Sequence, residues 1–384
     1  MNRGPPILSI AIIVGVYVGL HLYMWARLIR RTELPSPWRR RATASLVALG
    51  LYAPLASLLA RWAGVGWPTA LIWPGVLWMG LALYLILALV ATDVLRWLAE
   101  LWLWCRDRRR FRERGTQRWL YRVFATAALT LAMGATATGV ITVACGPVLR
   151  RVEVPLEKLP AAMDGLTVVQ LSDLHVGRTI GRSYVQRVVS DVNALKPDAV
   201  VITGDLVDGQ VDALRDAVEP LFSLRARHGV YFVTGNHDYY SGAGPWRAHL
   251  AAGGIHVLSN ASTRIGKPPA SIDLVGVEDK RGYVDLTGAL ADCDPNTPTI
   301  LLAHRPEMVF EAALSGVDLQ LSGHTHGGQM WPFTLVVEQA APYPSGLYRH
   351  EKTWLYVNVG TGYVGPPLRL GTRSEISVVT LRGP

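Results

Sequence analysis

The feature that most constrains this chain is a set of four long apolar stretches within its first 145 residues. Each stretch approaches or exceeds the roughly 20 residues that a helix needs to cross the hydrocarbon core of a bilayer. Because the bilayer core offers the backbone no hydrogen-bond partners, such stretches must be helical. The sequence therefore predicts an all-α, four-helix transmembrane domain over residues 1–149, with helices at about 5–26, 43–63, 68–98 and 123–145.

The distribution of arginine predicts how these helices are oriented. Residues 1–145 contain 17 Arg, no Lys and five acidic residues, whereas the rest of the chain is mildly acidic. The arginines concentrate in the first and third connections, at 27–41 and 106–122, and the second connection contains only Arg61. The positive-inside rule then makes the first and third connections cytoplasmic. We expect a multi-pass cell-membrane protein whose C-terminal domain is extracytoplasmic.

The charge distribution also bears on nucleic-acid binding. Although the whole chain has a net charge of +9, this excess comes from its membrane part. The arginine run at 106–114 fits a topology determinant beside anionic lipid better than a nucleic-acid site. We therefore expect the bilayer, and no nucleic acid, as a partner.

From residue 166 onward the pattern changes to short apolar runs that alternate with helix-length amphipathic stretches. Strands alternating with helices indicate an α/β fold with a buried sheet, and the shorter later connections suggest mixed strand directions. We assign this domain to residues 150–384. Its predicted strands are Leu166–Leu171, Ala199–Thr203, Val230–Thr234, Ile272–Val277, Ile300–Ala303, Leu319–Ser322, Trp354–Val359 and Ile376–Leu381.

Five of the predicted strands end in Asp, Asn or His. In α/β sheets, ligands bind at the carboxyl ends of the strands. Residues two apart on a strand point to the same side, so Asp-x-His and His-x-His each place two ligands together. The motifs are Asp173-Leu-His175, Gly204-Asp205-Leu-Val-Asp208, Gly235-Asn236-His237-Asp238, the lone His304, and Gly323-His324-Thr-His326.

These side chains are typical ligands of divalent metal ions. Oxygen and imidazole ligands without thiolate suit Mn, Fe, Co or Zn, and the chain's three cysteines are too scattered to form a metal site. One ion needs fewer ligands than the motifs offer, but two ions about 3.5–4 Å apart that share a carboxylate would use them all. The sequence therefore predicts two divalent ions, a pair that can activate water and polarise a phosphoryl oxygen.

The five motifs, in this order, resemble those of the calcineurin-like metallophosphoesterase superfamily. The run 323–329, Gly-His-Thr-His-Gly-Gly-Gln, and the tail from Asn358 to Ile376, which includes Arg369, are similar to a membrane-associated bacterial subgroup. The resemblance implies a four-layer α/β-sandwich over 165–381. It also implies the metal ligands: Asp173, His175 and His326 for the first ion, Asn236, His304 and His324 for the second, and Asp205 between the two.

The resemblance further implies hydrolysis of a phosphomonoester, phosphodiester or pyrophosphate by metal-activated hydroxide. His237 would protonate the leaving group or contact the phosphate, with Asp208 orienting its ring. Arg178 is a candidate phosphate contact through a bidentate fork, with an ordinary surface arginine as the alternative. Asp279 and Arg305 are weaker candidates for the same role, and Asp238 is either a further acid or a cap of the following turn.

The membrane anchor favours a phospholipid or a lipid-linked phosphate as the substrate. One competing function is a membrane sensor or interaction protein whose metal domain binds without turnover, and the complete ligand set argues against it. A channel or transporter with an accessory enzyme domain is less favoured, because the helices lack the paired interrupted segments of transporter sites.

Overall fold

A computed structural model describes residues 7–62 and 71–384 of the chain. The chain divides into two compact units, residues 1–138 and residues 139–384, each of which has its own architecture. The ends of three predicted helices, at positions 5–6, 63 and 68–70, lie outside the described residues.

The N-terminal unit is helical. Three helical segments of the described chain are long and apolar enough to cross a membrane: Ala11–Arg30, Trp73–Arg106 and Arg114–Ala144. The remaining long helix, over the predicted segment 43–63, is not among them; it begins earlier and has Arg39, Arg40 and Arg41 near its start. The helices are α1 Ile7–Trp25 with a π-helical extension Ala26–Arg30, α2 Ser36–Trp62, α3 Trp73–Arg106, α4 Arg108–Arg112 and α5 Arg114–Ala144.

Two of these helices differ in length from the prediction. Helix α3 continues to Arg106 rather than ending near 98, and α5 begins at Arg114 rather than near 123. Hydropathy marks only the part of a helix that suits the hydrocarbon core. Arg, Leu and Glu are good helix formers, so the backbone continues its helical bonding beyond the apolar part.

An ion pair between a buried arginine and a partly exposed aspartate joins the segment after α1 to α3. The Arg27 side chain is buried, and its Nε donates to Asp93 Oδ2 at 2.9 Å. The Tyr23 hydroxyl donates to the same carboxylate oxygen at 2.8 Å. The ring of Tyr121 in α5 lies 4.8 Å from the Arg27 guanidinium. Asp93 is therefore paired within the helical unit, as charges in apolar surroundings must be.

The C-terminal unit contains two six-stranded sheets. The first has the order β1-β12-β2-β3-β4-β5 and the second the order β10-β11-β9-β8-β7-β6. Strands β2 to β5 are mutually parallel, as are β7, β8, β9 and β11, whereas β12–β2, β6–β7 and β10–β11 are antiparallel. The predicted mixture of strand directions is confirmed. The strands are β1 Val148–Pro155, β2 Thr167–Leu171, β3 Ala199–Thr203, β4 Val230–Val233, β5 His256–Val257, β6 Ala261–Lys267, β7 Ala270–Gly276, β8 Thr299–Leu302, β9 Leu319–Ser322, β10 Gly346–His350, β11 Thr353–Val357 and β12 Glu375–Arg382.

The two sheets pack face to face, and helices cover their outer faces. Val168 and Val201 of the first sheet share a buried core with Leu274 and Leu321 of the second. Strand β3 is buried along its whole length, which is typical of a parallel strand covered on both faces. The helices of this unit are α6 Arg182–Ala194, α7 Val211–Val218, α8 Asn236–Tyr240, α9 Ala243–Ala252, α10 Leu286–Leu290, α11 Val309–Leu314 and α12 Phe333–Ala340.

Two further apolar cores fill the spaces between helices and sheets. Val188 of α6 and Trp246 of α9 pack against Val169 of the first sheet. Ala289 of α10 and Ala312 of α11 pack in the same way against the second sheet. The layers are therefore helix, sheet, sheet and helix, and the predicted four-layer α/β-sandwich is confirmed.

The unit boundary lies before the one expected at 149/150. Strand β1 begins at Val148, which pairs with Glu375 of β12. The Gly139 carbonyl of α5 accepts a hydrogen bond from Arg369 N at 3.1 Å. Residues 139–149 therefore belong with the C-terminal unit. Hydropathy could not show this, because it reports the solvent that a segment prefers and not the strand with which it pairs.

Candidate metal centre

The predicted ligands follow strands whose carboxyl ends meet at one edge of the sandwich. Asp173 and His175 follow β2, Asp205 follows β3, and Asn236 begins α8 directly after β4. His304 follows β8 of the other sheet, and His324 and His326 follow β9. Within the described residues, three groups of side chains could hold a metal ion: two consist of predicted ligands, and the third combines His175 with Asp208 and His237.

The first group consists of Asp173, His175 and His326, and each of these residues is buried. His326 Nε2 lies 3.2 Å from Asp173 Oδ1 and 3.1 Å from His175 Nε2. The three ligand atoms lie within 4.8 Å of one another. Three donors this close around one point can surround a single cation.

The second group consists of Asp205, His304 and His324. His304 Nε2 lies 3.2 Å from Asp205 Oδ2 and 3.2 Å from His324 Nδ1. The other ring nitrogen of His304 donates to the Thr203 carbonyl at 2.8 Å, which leaves Nε2 to face a cation. Asp205 Oδ2 is also 3.9 Å from His175 Nε2 of the first group. Asp205 is thus the carboxylate that lies between the two groups.

Asn236 and two residues that the motifs did not include extend the second group. Arg305 donates to Asn236 Oδ1 at 3.1 Å, and its Nη1 lies 2.8 Å from His324 Nε2. The buried Asp279 carboxylate accepts from Arg305 Nε at 2.6 Å. Arg305 and Asp279, the weaker candidates from sequence, therefore contact the centre directly or through one another. Arg178 is exposed in the bend after His175, and its role as a phosphate contact stays a prediction.

Asp208 contacts two histidines. Its Oδ1 lies 2.6 Å from His237 Nδ1, the pair predicted from sequence. The same carboxylate lies 3.2 Å from His175 Nδ1, a contact that the motif spacing did not indicate. Asp238, by contrast, accepts from Gly235 N at 2.7 Å and from Leu206 N at 2.9 Å, so it caps the turn as one of the two interpretations expected.

The backbone at the centre adopts a conformation that side chains disfavour. Ten non-glycine residues of the described chain have positive φ, and half of them are predicted ligands. Such residues are uncommon and cluster at functional sites, where the surrounding structure holds them in place. The five are Asp173, His175, Asp205, His324 and His326.

Gly323 allows β9 to approach the first group closely. A Cβ at this position would overlap the Ser172 hydroxyl and the Asp173 carboxylate. We expect Gly323→Ala to displace Asp173 and to lower the affinity of the first group for a divalent ion by about 10- to 100-fold, the usual cost of disturbing a contact that positions a metal ligand. Gly244→Ala is the matched control, because a Cβ at that position would meet no atom within 4 Å beyond its chain neighbours and the backbone of its own helix. A wild-type metal content in the Gly323 variant would contradict this arrangement.

The electrostatics of the centre suit cation binding. Burial alone would raise the pKa of Asp173, but the imidazoles of His326, His304 and His175 hold it below its usual range. Burial, together with His304 and Arg305, lowers the pKa of His324 to about 4. Ionised carboxylates beside a neutral imidazole are the forms that ligate metal ions. Burial and the Asp205 charge raise the pKa of Asp238 to about 7, although the backbone N–H groups of Gly235 and Val207 that it caps lower it.

Arg369 contacts a predicted metal ligand, and the sequence motifs gave little indication of this contact. It is fully buried, and its Nη2 donates to Val359 O and Gly362 O, both at 2.8 Å. The same nitrogen lies 3.3 Å from His326 Nδ1, on the side of the ring away from Asp173. The only signal for it was its place in the tail motif, which does not indicate the residue it touches.

The donor set fits the metal ions that the motifs imply. The two groups supply carboxylate oxygens and imidazole nitrogens without thiolate, and several of their outer atoms are held by Thr203, Asp208 and Arg369. Such outer partners orient metal ligands. The fold and the site together define a metal-binding α/β-sandwich domain.

Comparison with known proteins assigns this domain to a family. A family profile described as calcineurin-like phosphoesterase matches residues 166–328. The chain is 34% identical over 233 residues to the uncharacterized metallophosphoesterase YkuE of Bacillus subtilis, a match that covers 58% of this chain and 82% of the relative. The chain belongs to the calcineurin-like metallophosphoesterase family, a family that implies divalent metal cofactors.

Relatives named as transmembrane proteins are also similar to this chain. The chain is 43% identical over 259 residues to the transmembrane protein with metallophosphoesterase domain of Danio rerio, a match that covers 64% of this chain. The match spans 59% of the length of that relative. Among solved structures, a dimetal phosphatase from Danio rerio is similar over 53% of this chain and 90% of that chain, with 14% identity and a TM-score of 0.34.

Proposed function

We propose that this protein is a membrane-anchored, dinuclear metal-dependent phosphoesterase that hydrolyses a phosphomonoester, phosphodiester or pyrophosphate bond. The observation that carries the proposal is the position of Asp205, whose Oδ2 lies 3.2 Å from His304 Nε2 and 3.9 Å from His175 Nε2. A carboxylate between two groups of ligands is the arrangement that two neighbouring cations require.

The proposed ligand assignment follows the two groups. Asp173, His175 and His326 would hold the first ion, Asn236, His304 and His324 the second, and Asp205 both. When bound, two divalent ions (Mn, Fe, Zn or Co) supply Lewis-acid activation of water and of the phosphoryl group. Side chains of the protein would orient the substrate and transfer protons.

His237 is suited to act on the leaving group. Its side chain is partly exposed beside the two groups, and its Nδ1 is held 2.6 Å from Asp208 Oδ1. Burial lowers the pKa of His237, but the hydrogen bond to Asp208 and the charge of Asp205 outweigh it and raise that pKa, which favours the protonated ring. With Nδ1–H held by Asp208, the protonated ring can donate its Nε2 proton to the leaving-group oxygen or a hydrogen bond to the phosphate. Arg305, held by Asp279, contacts His324 and so brings a positive charge to the second group.

Variants of Asp208 and His237 separate the positioning of the histidines by Asp208 from the action of His237 on the leaving group. We expect Asp208→Asn to lower the rate by about 10- to 100-fold, because it loosens both His237 and the ligand His175. His237→Ala should slow hydrolysis of an alkyl phosphate more than that of p-nitrophenyl phosphate, whose leaving group needs no proton. Metal content should fall only in the Asp208 variant. Equal losses on both esters in the His237 variant would contradict the leaving-group role.

The apolar helices of the N-terminal unit are the basis for the proposed location and substrate. We propose a multi-pass cell-membrane protein with an extracytoplasmic catalytic domain that acts on a lipid-linked phosphate. Support comes from the three apolar helical segments, the arginine-rich connections and the relatives named as transmembrane proteins. Protease treatment of intact cells should cleave the C-terminal unit. Cleavage only after the cells are opened would place that unit in the cytoplasm.

The central experiment is metal analysis of the purified full-length protein combined with a phosphate-release screen. The screen compares soluble esters with detergent-dispersed lipid phosphates. We expect two divalent ions per chain and faster release from the lipid phosphates. A chain with bound metal and no release from any ester would favour the alternative function, a non-catalytic metal-binding sensor or interaction protein.

A further inference from the structure

An exposed apolar segment follows the metal centre directly in the sequence. It runs from Trp331 to Val337, and we call it the 331–337 segment. Trp331 is 50% exposed, Leu335 48% and Val336 58%, and helix α12, which contains most of the segment, has no buried residue. Between positions 327 and 348 the sequence has a single charged residue, Glu338. Contiguous apolar surface of this kind marks an interaction site.

The segment is connected to the end of α5. Trp331 N donates to the Leu370 carbonyl at 2.7 Å, and Met330 forms a β-bridge with the same residue. The preceding residue, Arg369, donates its backbone N–H to Gly139 O of α5 at 3.1 Å. All of these residues belong to the C-terminal unit. The segment therefore lies near the end of a helix that is long and apolar enough to cross a bilayer.

The segment is also connected to the metal centre. It begins shortly after His326, and a 3₁₀ turn at His326–Gly328 packs against α12. The Arg369 guanidinium that lies 3.3 Å from His326 Nδ1 belongs to the residue whose backbone contacts Gly139. One residue thus connects the end of the helix with a metal ligand. The contacts of Arg369 with His326 and Gly139 consequently fix the distance between the centre and the end of α5.

We propose that the 331–337 segment inserts into the headgroup region of the bilayer where α5 ends and holds the metal centre at the membrane surface. Tryptophan favours this interface, and short apolar helix faces bury themselves about 5–10 Å into it. The contacts to α5 favour the bilayer as the occupant over a second copy of the chain. The insertion does not depend on the proposed function. The substrate class associated with it, a phosphate ester of a membrane lipid, rests on the proposed function.

Fluorescence quenching tests the insertion. The full chain, with Cys105, Cys145 and Cys293 replaced by serine, carries Val336→Cys labelled with an environment-sensitive dye in phosphatidylcholine–phosphatidylglycerol vesicles. We expect spin-labelled lipid to quench the dye and aqueous iodide to have little effect. Leu314→Cys is the matched control, because Leu314 is an apolar residue that is 84% exposed at the end of α11. Iodide should quench the label at position 314, and spin-labelled lipid should have little effect on it.

Two results would overturn the insertion. In one, iodide quenches the label at position 336 as strongly as the label at 314. In the other, lipid quenching is absent and protection from iodide rises with the ratio of protein to lipid, which would identify a second copy as the occupant.

Charge substitution tests the substrate class. In the Leu335→Glu, Val336→Glu variant, we expect the rate on phosphatidic acid vesicles, relative to that on p-nitrophenyl phosphate, to fall at least about tenfold. Leu314→Glu should leave this ratio unchanged. An unchanged ratio in the double variant would overturn the lipid substrate. If the wild type hydrolyses neither compound, the proposed function fails, whereas the quenching result still decides the insertion.

Discussion

Asp205→Asn should reduce the hydrolysis rate of the protein by about a thousandfold, equivalent to about 4 kcal/mol of transition-state stabilisation. Asp205 lies between the two groups of ligands, and its Oδ1 also accepts from His237 N at 2.8 Å. Asparagine keeps the shape of the side chain but cannot offer a charged oxygen to each of two cations. Kinetics on p-nitrophenyl phosphate and metal content per chain measure the effect.

Asp212→Asn is the matched control for this experiment. Asp212 is an exposed carboxylate of α7 whose only role in the described residues is a surface pair with Arg215. The control should keep its rate and its metal. If Asp205→Asn also retained phosphatase activity, catalysis by the proposed centre would be disproved. Lost activity with full metal content would instead mean that Asp205 does not hold the ions.

The second large effect is on stability. We expect Arg369→Ala to destabilise the C-terminal unit by about 3 kcal/mol, because the buried guanidinium satisfies the carbonyls of Val359 and Gly362. For a domain of this size, such a loss lowers the thermal midpoint by about 6–12 °C. Thermal unfolding of the full-length protein in detergent measures the shift. Metal affinity should also fall, because His326 loses a neighbour that positions its ring.

Arg215→Ala tests whether the effect belongs to the buried site. Arg215 is exposed and forms a surface ion pair with Asp212, an interaction that contributes about 0–1 kcal/mol. Its removal should leave the thermal midpoint nearly unchanged. Arg369→Lys keeps the charge but loses the planar fork, so we expect it to recover only part of the stability. Equal midpoints for all three variants and the wild type would contradict the structural role of Arg369.

Most of the sandwich was predictable, because its central strands have local signals. Strands β3 and β9 match the predicted ranges, since each is a short apolar run that ends in Gly and a polar residue. Strand β6 was not predicted. Its residues are mostly polar or small, and it is stabilised by antiparallel pairing with β7, an interaction between segments that no local pattern reports.

The candidate site likewise has a part that the sequence predicts, the identities of the ligands, and a part that it does not, the contacts between loops. Ligand identities could be proposed from motifs because each ligand sits within a few residues of a strand end. The second contact of Asp208, to His175, and the contact of Arg305 with Asn236 join loops from different strands. The first contact joins loops after two neighbouring strands of the first sheet, whereas the second joins the two sheets and depends on how they stack. The positive φ values of five predicted ligands likewise arise from the surrounding packing.

The amino-acid sequence by itself determined that part of the chain suits lipid and part suits water, and which side chains are available to bind metal. Both follow from composition and from spacing over a few residues. Only the tertiary structure decided that Asp205 lies between two groups of ligands and that Arg369 touches both His326 and α5. Those contacts join residues far apart in the chain, and they form because burying two sheets against each other brings the strand ends together.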